Sequence, residues 1–169
     1  MHFSAKSSRD KVFEEVESFL SKNNFRIIYK DDERPWGGFF VIDEEQTSAF
    51  VEHFFPLEDQ KATISKNKLS PKILIVEPGK RLSWQFHYRR AELWKVIEGT
   101  VGIVKSNNDE ESELVEYEIG SIIKLRQGER HRLIGLENWG VVAEIWQHTD
   151  PDEPSNEDDI VRLQDDFGR

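Results

Sequence analysis

Gln85, His87, Glu92 and His131 are the residues whose types and spacing carry chemistry. The first three lie in GKRLSWQFHYRRAELWKVIEG (79–99), a run bounded by glycines, with Gln85 and His87 two apart and Glu92 five further on. The fourth ends a second segment, GSIIKLRQGERH (120–131). Two imidazoles, a carboxylate and an amide oxygen suit Zn, Mn, Fe, Co or Ni better than Ca or Mg. On a strand, residues two apart leave the same face, so Gln85 and His87 can aim together. Glu92 is an odd number of residues from His87 and joins them only if a turn or bulge falls at Tyr88-Arg89-Arg90. His131 has to arrive from a different strand. Singly, either histidine reads as a core or surface residue. The joint spacing, G-x5-Q-x-H-x4-E-x6-G followed by G-x7-G-x2-H, makes one shared divalent metal the expectation. His2, His53 and His148 fall outside it and read as surface or structural residues.

Short strands must position such a group, and the chain supplies them. From Phe25 onward it is written in β-rich runs: FRIIY, GFFVI, KILIV, LWKVI, TVGIVK, SIIKL, HRLIGL and GVVAEIW. Turn residues such as Pro78-Gly79, Glu98-Gly99 and Gln127-Gly128 separate them. That punctuation predicts a sandwich or barrel and no βαβ units. Ahead of the strands, residues 9–22 put Val12, Phe13, Val16, Phe19 and Leu20 on one helical stripe behind Ser8 as N-cap. This is expected to be the only substantial helix. Residues 43–70 are weakly patterned and read as an excursion from the sheet. The expected organisation is a single domain over 1–169, with the helix at 9–22, a barrel core at 69–149 and an acidic tail at 150–169.

The chain has 169 residues, no cysteine and a formal charge of −10. Disulfides and thiolate ligands are therefore excluded. Phosphate backbones and anionic lipid demand dense positive charge, so neither nucleic acid nor a membrane is expected as a partner. No apolar run approaches the ~18–20 residues of a membrane span, and no secretory leader is read at the start, so a cytoplasmic location is expected.

RPWGGFF (34–40), KILIVEPGKRLSWQFHYRRAELWKVIEGT (72–100), GERHRL (128–133) and EDDIVRLQDDFGR (157–169) resemble the cupin domain of type II mannose-6-phosphate isomerases. The resemblance implies an all-β fold, a double-stranded β-helix (jelly-roll) barrel with a metal in its mouth, preceded here by the N-terminal α-helix. It places Gln85, His87, Glu92 and His131 on the ligand positions, with zinc, or Mn, Co, Fe or Ni, as the ion. No glycine-rich GxGTRLxP segment is present, so the guanylyltransferase activity of the half to which such domains are commonly fused is not expected. Four departures stand out: Arg126 for a proline, Gly135 for an asparagine, and Trp84 and Trp146 where the subgroup often has Leu and Gln.

The implied reaction is aldose–ketose isomerisation of a sugar phosphate, mannose-6-phosphate to fructose-6-phosphate, through an enediolate stabilised by the metal. It needs a Lewis acid, a base poised near neutral pH and a group to shuttle hydroxyl protons. Lys72 shares a strand face with Leu74 and Val76 and matches a lysine of the subgroup. Glu144 is a carboxylate in the apolar run VVAEIW, where burial would raise its pKa. These two are the catalytic expectations. Each has a plain alternative as a solvated strand residue. Arg90 and Arg132 flank the ligands, match the subgroup and could grip a phosphate. Arg90 could equally pair with Glu92, and Arg132 points away from His131 if the strand is regular. Trp84 and Trp146 would face the sugar. Asp158, Asp159 and Arg162 would close a lid or pin the C-terminus. The competing readings are a free-sugar isomerase of lyxose or mannose type, a non-catalytic sugar-binding cupin and an iron oxygenase. The last is disfavoured by the glutamine ligand and the nearby arginines. A homodimer paired through sheet edges is the expected assembly.

Overall fold

The computed structural model describes residues 1–62 and 64–169. In chain order it contains α1 (Arg9–Lys22), β1 (Ile27–Arg34), β2 (Gly37–Ile42), α2 (Thr47–Phe54), α3 (Glu58–Lys61), β3 (Leu69–Val76), β4 (Trp84–Phe86), β5 (Arg90–Glu98), β6 (Val101–Ser106), β7 (Val115–Tyr117), β8 (Ile122–Leu125), β9 (Arg130–Gly135), β10 (Gly140–His148) and β11 (Val161–Gln164). The strands form two antiparallel sheets, ordered β1-β2-β3-β10-β5-β8 and β11-β4-β9-β6-β7. Together they make the expected jelly roll.

The long strands are apolar on both faces because both faces are covered. Ile73 and Ile75 of β3, Leu93 of β5 and Val141, Ala143 and Ile145 of β10 pack outward with Val12, Phe13, Val16 and Leu20 of α1. The alternate residues Leu74, Val76, Trp94, Val96 and Val142 turn inward to a second core between the sheets. Helix α1 therefore lies on the face of the six-stranded sheet and not along an edge. It begins where expected: Ser8 Oγ accepts from Lys11 N–H at 3.4 Å, with Asp10 in the first turn and Lys22 in the last, as the helix dipole favours.

The expectation of a single substantial helix does not hold. The 43–70 excursion carries α2, whose Phe50 and Phe54, four residues apart, are buried against Phe25 beside α1. Eight residues are too few for periodicity to announce a helix, and tertiary packing decides it. Strands also lie on either side of 69–149, since β1 and β2 extend one sheet and β11 the other. Gly135 has a packing reason. Its N–H donates to Lys80 O at 2.8 Å and its carbonyl accepts from Gly79 N–H at 3.0 Å. A Cβ here would sit 2.0 Å from the carbonyl oxygen of Glu77, so no side chain fits.

Candidate metal centre and its cavity

The odd spacing between His87 and Glu92 is resolved by a change of sheet. Strand β4 belongs to the five-stranded sheet and β5 to the six-stranded one, and the chain bends between them at Tyr88 and Arg89. The Asp159 carboxylate holds that bend, accepting from Tyr88 N–H at 3.0 Å and Arg89 N–H at 2.9 Å. Three N–H and O–H donors, the third being Ser155 Oγ at 2.6 Å, keep Asp159 ionised despite its burial.

His87, Glu92 and His131 converge, all buried, with their ligand atoms within 4.8 Å of one another. His87 Nδ1 faces the Asp159 carbonyl at 2.6 Å and His131 Nδ1 faces the Glu129 carbonyl at 2.9 Å. A carbonyl oxygen only accepts, so each Nδ1 carries a hydrogen, and in the neutral ring Nε2 is the atom left to bind an ion. Those two atoms lie 3.2 and 3.4 Å from the two oxygens of Glu92. His131 Nε2 is buried with no hydrogen-bond partner among the described residues. Burial lowers the pKa of His87 and keeps it neutral. Burial alone would raise Glu92, but His87 first and then Arg90, with hydrogen bonds from both histidines, hold it well below the usual carboxylate range. The standing cation is Arg90, whose Nε donates to Glu92 Oε1 at 2.7 Å. A divalent ion requires neutral imidazoles and an ionised carboxylate, and His87, Glu92 and His131 form a group that can hold one.

Gln85 lies opposite His131 in the β4–β9 ladder, so the two share a face. Its Oε1 accepts from Ser83 Oγ at 2.5 Å. Gln85 and Glu92 open onto a cavity of about 150 Å³ between the sheets. Lys72, Glu144 and Trp146 line the same cavity from β3 and β10. Glu144 stands opposite Lys72 on one side and Trp94 on the other. Trp94 Nε1 donates to Glu144 Oε1 at 3.0 Å. Burial, and after it the charge of Glu92, push this carboxyl up to about 8 although Lys72 and Arg90 oppose the shift. Lys72 Nζ lies 3.7 Å from the Trp146 ring centroid and pairs with Glu157.

The remaining expected site residues are placed differently. Arg90 borders the cavity, and each of its three side-chain nitrogens already has a partner within the protein. Its Nε is on Glu92, its Nη1 donates to Ser155 Oγ and the Asn156 carbonyl, and its Nη2 lies 3.1 Å from His87 Nε2. Its guanidinium also lies 3.5 Å from the Trp146 ring. Arg132 is outside the cavity lining, completely buried on the other face of β9, and holds Leu82 O, Glu111 and Gln164. Trp84 also lies outside that lining, next to Gln85 on β4, with Nε1 donating to Asp109 O at 2.8 Å. Sequence reasoning missed Arg34 and Arg169, which line the cavity with Arg162. The RPWG turn and the terminal DIVRLQDDFGR run were the signals for them. His148 is a buried structural residue, bonded to Ser70 Oγ at 2.8 Å.

Two facing antiparallel sheets with a His–His–Glu group at one end define a cupin. The chain belongs to the family described as mannose-6-phosphate isomerase C-terminal, which matches residues 44–165. It is 31% identical over 136 residues to the xanthan biosynthesis protein XanB of Xanthomonas campestris pv. campestris, covering 80% of this chain and 23% of that protein. It is 30% identical over 159 residues to a mannose-1-phosphate guanylyltransferase of Salmonella montevideo, covering 94% and 27%. The chain thus spans about a quarter of the length of these relatives. Among solved structures, a point mutant of Bacillus subtilis oxalate decarboxylase OxdC is similar in fold, with a TM-score of 0.58 at 13% identity over 80% of this chain and 30% of that one. No helix among the described residues is long and apolar enough to cross a membrane.

Proposed function

We propose that this cupin is a metal-dependent aldose–ketose isomerase acting on a sugar phosphate, with mannose-6-phosphate and fructose-6-phosphate as the pair. The observation that carries the reading is one cavity bordered by two buried carboxyls in opposite states, Glu92 ionised and Glu144 with its pKa raised to about 8. Environments that drive two such groups apart separate a ligand from a proton carrier. Family membership and the names of the relatives support the sugar-phosphate assignment.

His87, Glu92, His131 and Gln85 would hold the ion, zinc first and Mn, Co, Fe or Ni as alternatives. A bound divalent ion supplies Lewis acidity at the sugar carbonyl. Glu144 takes the proton from C2 and returns it to C1. Near neutral pH its carboxyl is close enough to its pKa to do both. Trp94 Nε1 fixes one carboxyl oxygen and leaves the other to the substrate. Lys72 donates to a hydroxyl oxygen on the same wall, and Trp146 presents its ring beside it. A cytoplasmic location and a homodimer are part of this proposal.

A second reading, a sugar-binding cupin without turnover, draws on Arg90, which satisfies Glu92 and reaches His87 Nε2 from within the protein. Proton NMR of mannose-6-phosphate in D2O, with the protein loaded in turn with Zn, Mn and Co, separates the two. Ketose formation or loss of the C2 proton signal is expected. Silence with every metal, with binding retained, would select the second reading.

A further inference from the structure

We infer that Arg162, assisted by Arg34 and Arg169, forms an anion subsite for the phosphoryl group of a sugar monophosphate, a role that neither Arg90 nor Arg132 is free to take. This rests on the sugar-phosphate reading of the same cavity. All three arginines line it: Arg34 from β1, Arg162 from β11, and Arg169 from the segment after β11.

Arg162 is the anchor. It is an exposed arginine for which no side-chain hydrogen bond or ion pair is found among the described residues, although acidic side chains outnumber basic ones, 33 to 23, in the whole chain. Its charged neighbours include two cations: after burial, Arg169 and Arg34 lower its pKa, while the carboxylates Asp165 and Glu157 act the other way. Like charges gathered at a cavity wall are repulsive unless an anion joins them, and a phosphate dianion satisfies several guanidinium forks at once. The two helpers keep donors to spare. Arg34 uses Nε on Asp31 at 2.7 Å, and Arg169 uses Nε and Nη2 on Asp165 at 2.9 Å. Five cations, Arg34, Lys72, Arg90, Arg162 and Arg169, line the cavity against Glu92, Glu144 and Glu157, while the chain as a whole carries −10. The positive charge is therefore concentrated at this mouth.

The register fixes the spacing. Arg162 is opposite Gln85 on β4, and Gln85 is opposite His131 on β9. The three lie in one row across adjacent strands, so Arg162 stands two strand spacings, about 10 Å, from the metal-side histidine. A hexose with its carbonyl carbon at the His87–Glu92–His131 group and its phosphate at C6 spans such a row.

The test is isothermal titration calorimetry of the full chain with mannose-6-phosphate and with free mannose. It compares the wild type, Arg162→Gln, Arg162→Lys, Arg34→Gln and the charge-loss control Arg26→Gln, whose residue pairs with Asp43 and Glu45 elsewhere on the surface. The wild type should prefer the phosphate ester. Arg162→Gln should weaken mannose-6-phosphate about tenfold or more and leave mannose unchanged, since a charged hydrogen-bond pair is lost. Arg162→Lys should fall between, Arg34→Gln should follow with a smaller loss, and Arg26→Gln should match the wild type. Should Arg162→Gln fail to fold, Arg34→Gln on a different strand decides. No preference for the ester in the wild type, or a preference untouched by Arg162→Gln and Arg34→Gln, overturns the subsite. Ester preference that depends on Arg162 without any C2 proton exchange keeps the subsite and removes the isomerase reading. Exchange with an unchanged KM in Arg162→Gln does the reverse.

Discussion

His87 and His131 aim their Nε2 atoms at Glu92 because backbone carbonyls hold both Nδ1 hydrogens. Replacing His131 by alanine should weaken cobalt binding by about a hundredfold or more, read from the visible spectrum of the Co(II) protein, with the fold intact by circular dichroism. Retained affinity would remove the metal assignment. Glu144 makes a prediction about pH. Its carboxyl has a pKa of about 8 in the fold and an ordinary value of 4.5. Between those two values the native chain holds a proton that the unfolded chain has released, so stability falls as pH rises through that window. Glu92 has the opposite sign. Its pKa is lowered in the fold, so its contribution is present above its ordinary value of 4.5 and is lost as pH falls through the native value. Urea midpoints in excess EDTA should therefore drop between about pH 6 and about pH 8.5, and Glu144→Gln should flatten that slope. An equal slope in the variant would contradict the buried proton. The convergence of His87, Glu92 and His131 was legible in the sequence from their types and spacing. The orientations of Arg132 and Trp84 depend on which strand face meets the cavity, and the contents of the cavity had to be seen.

The segment after β10 does more for the centre than its acidic composition announces. Asp159 accepts from the Tyr88 and Arg89 amides, while its own carbonyl orients His87. Asp159→Ala leaves those buried donors unsatisfied and should cost about 2–4 kcal/mol in urea unfolding, with weaker metal binding as a companion effect. A loss below about 0.5 kcal/mol would show that the bend stands without it. Gly135→Ala should also destabilise, by about 3 kcal/mol or more, because the new Cβ meets the Glu77 carbonyl at 2.0 Å. At this scale α1 and the long strands were legible, since each repeats its pattern over many residues. Strands β4, β7 and β11, of three or four residues, are too short to show a period, and α2 exists because Phe50 and Phe54 find Phe25.

At the scale of the molecule, an acidic exterior surrounds an arginine-bearing mouth. Association of a sugar phosphate should slow as salt rises from about 20 to about 300 mM, because the local positive field is screened, while free mannose should show no such dependence. Stopped-flow binding of both ligands checks this, and parallel salt responses would count against a local field. The barrel was legible as a whole because turns punctuate every run of β residues, although the covering of its six-stranded sheet by two helices was only half visible. That covering sets the two sheets apart. Strand β10 pairs without a break from Gly140↔Val76 to Gln147↔Leu69 on one side and lies under α1 and α2. By contrast, β4 and the residues leading into it meet β9 through the pair Gln85↔His131 and the isolated bridge Arg81↔Ile134, with β11 as the outer neighbour of β4. Amide hydrogens should therefore exchange on two clocks. Those of β3 and β10 should wait for global unfolding, while those of β4 and β11 should escape through a smaller opening. A ligand bridging Arg162 and His131 would close that opening and slow the faster clock.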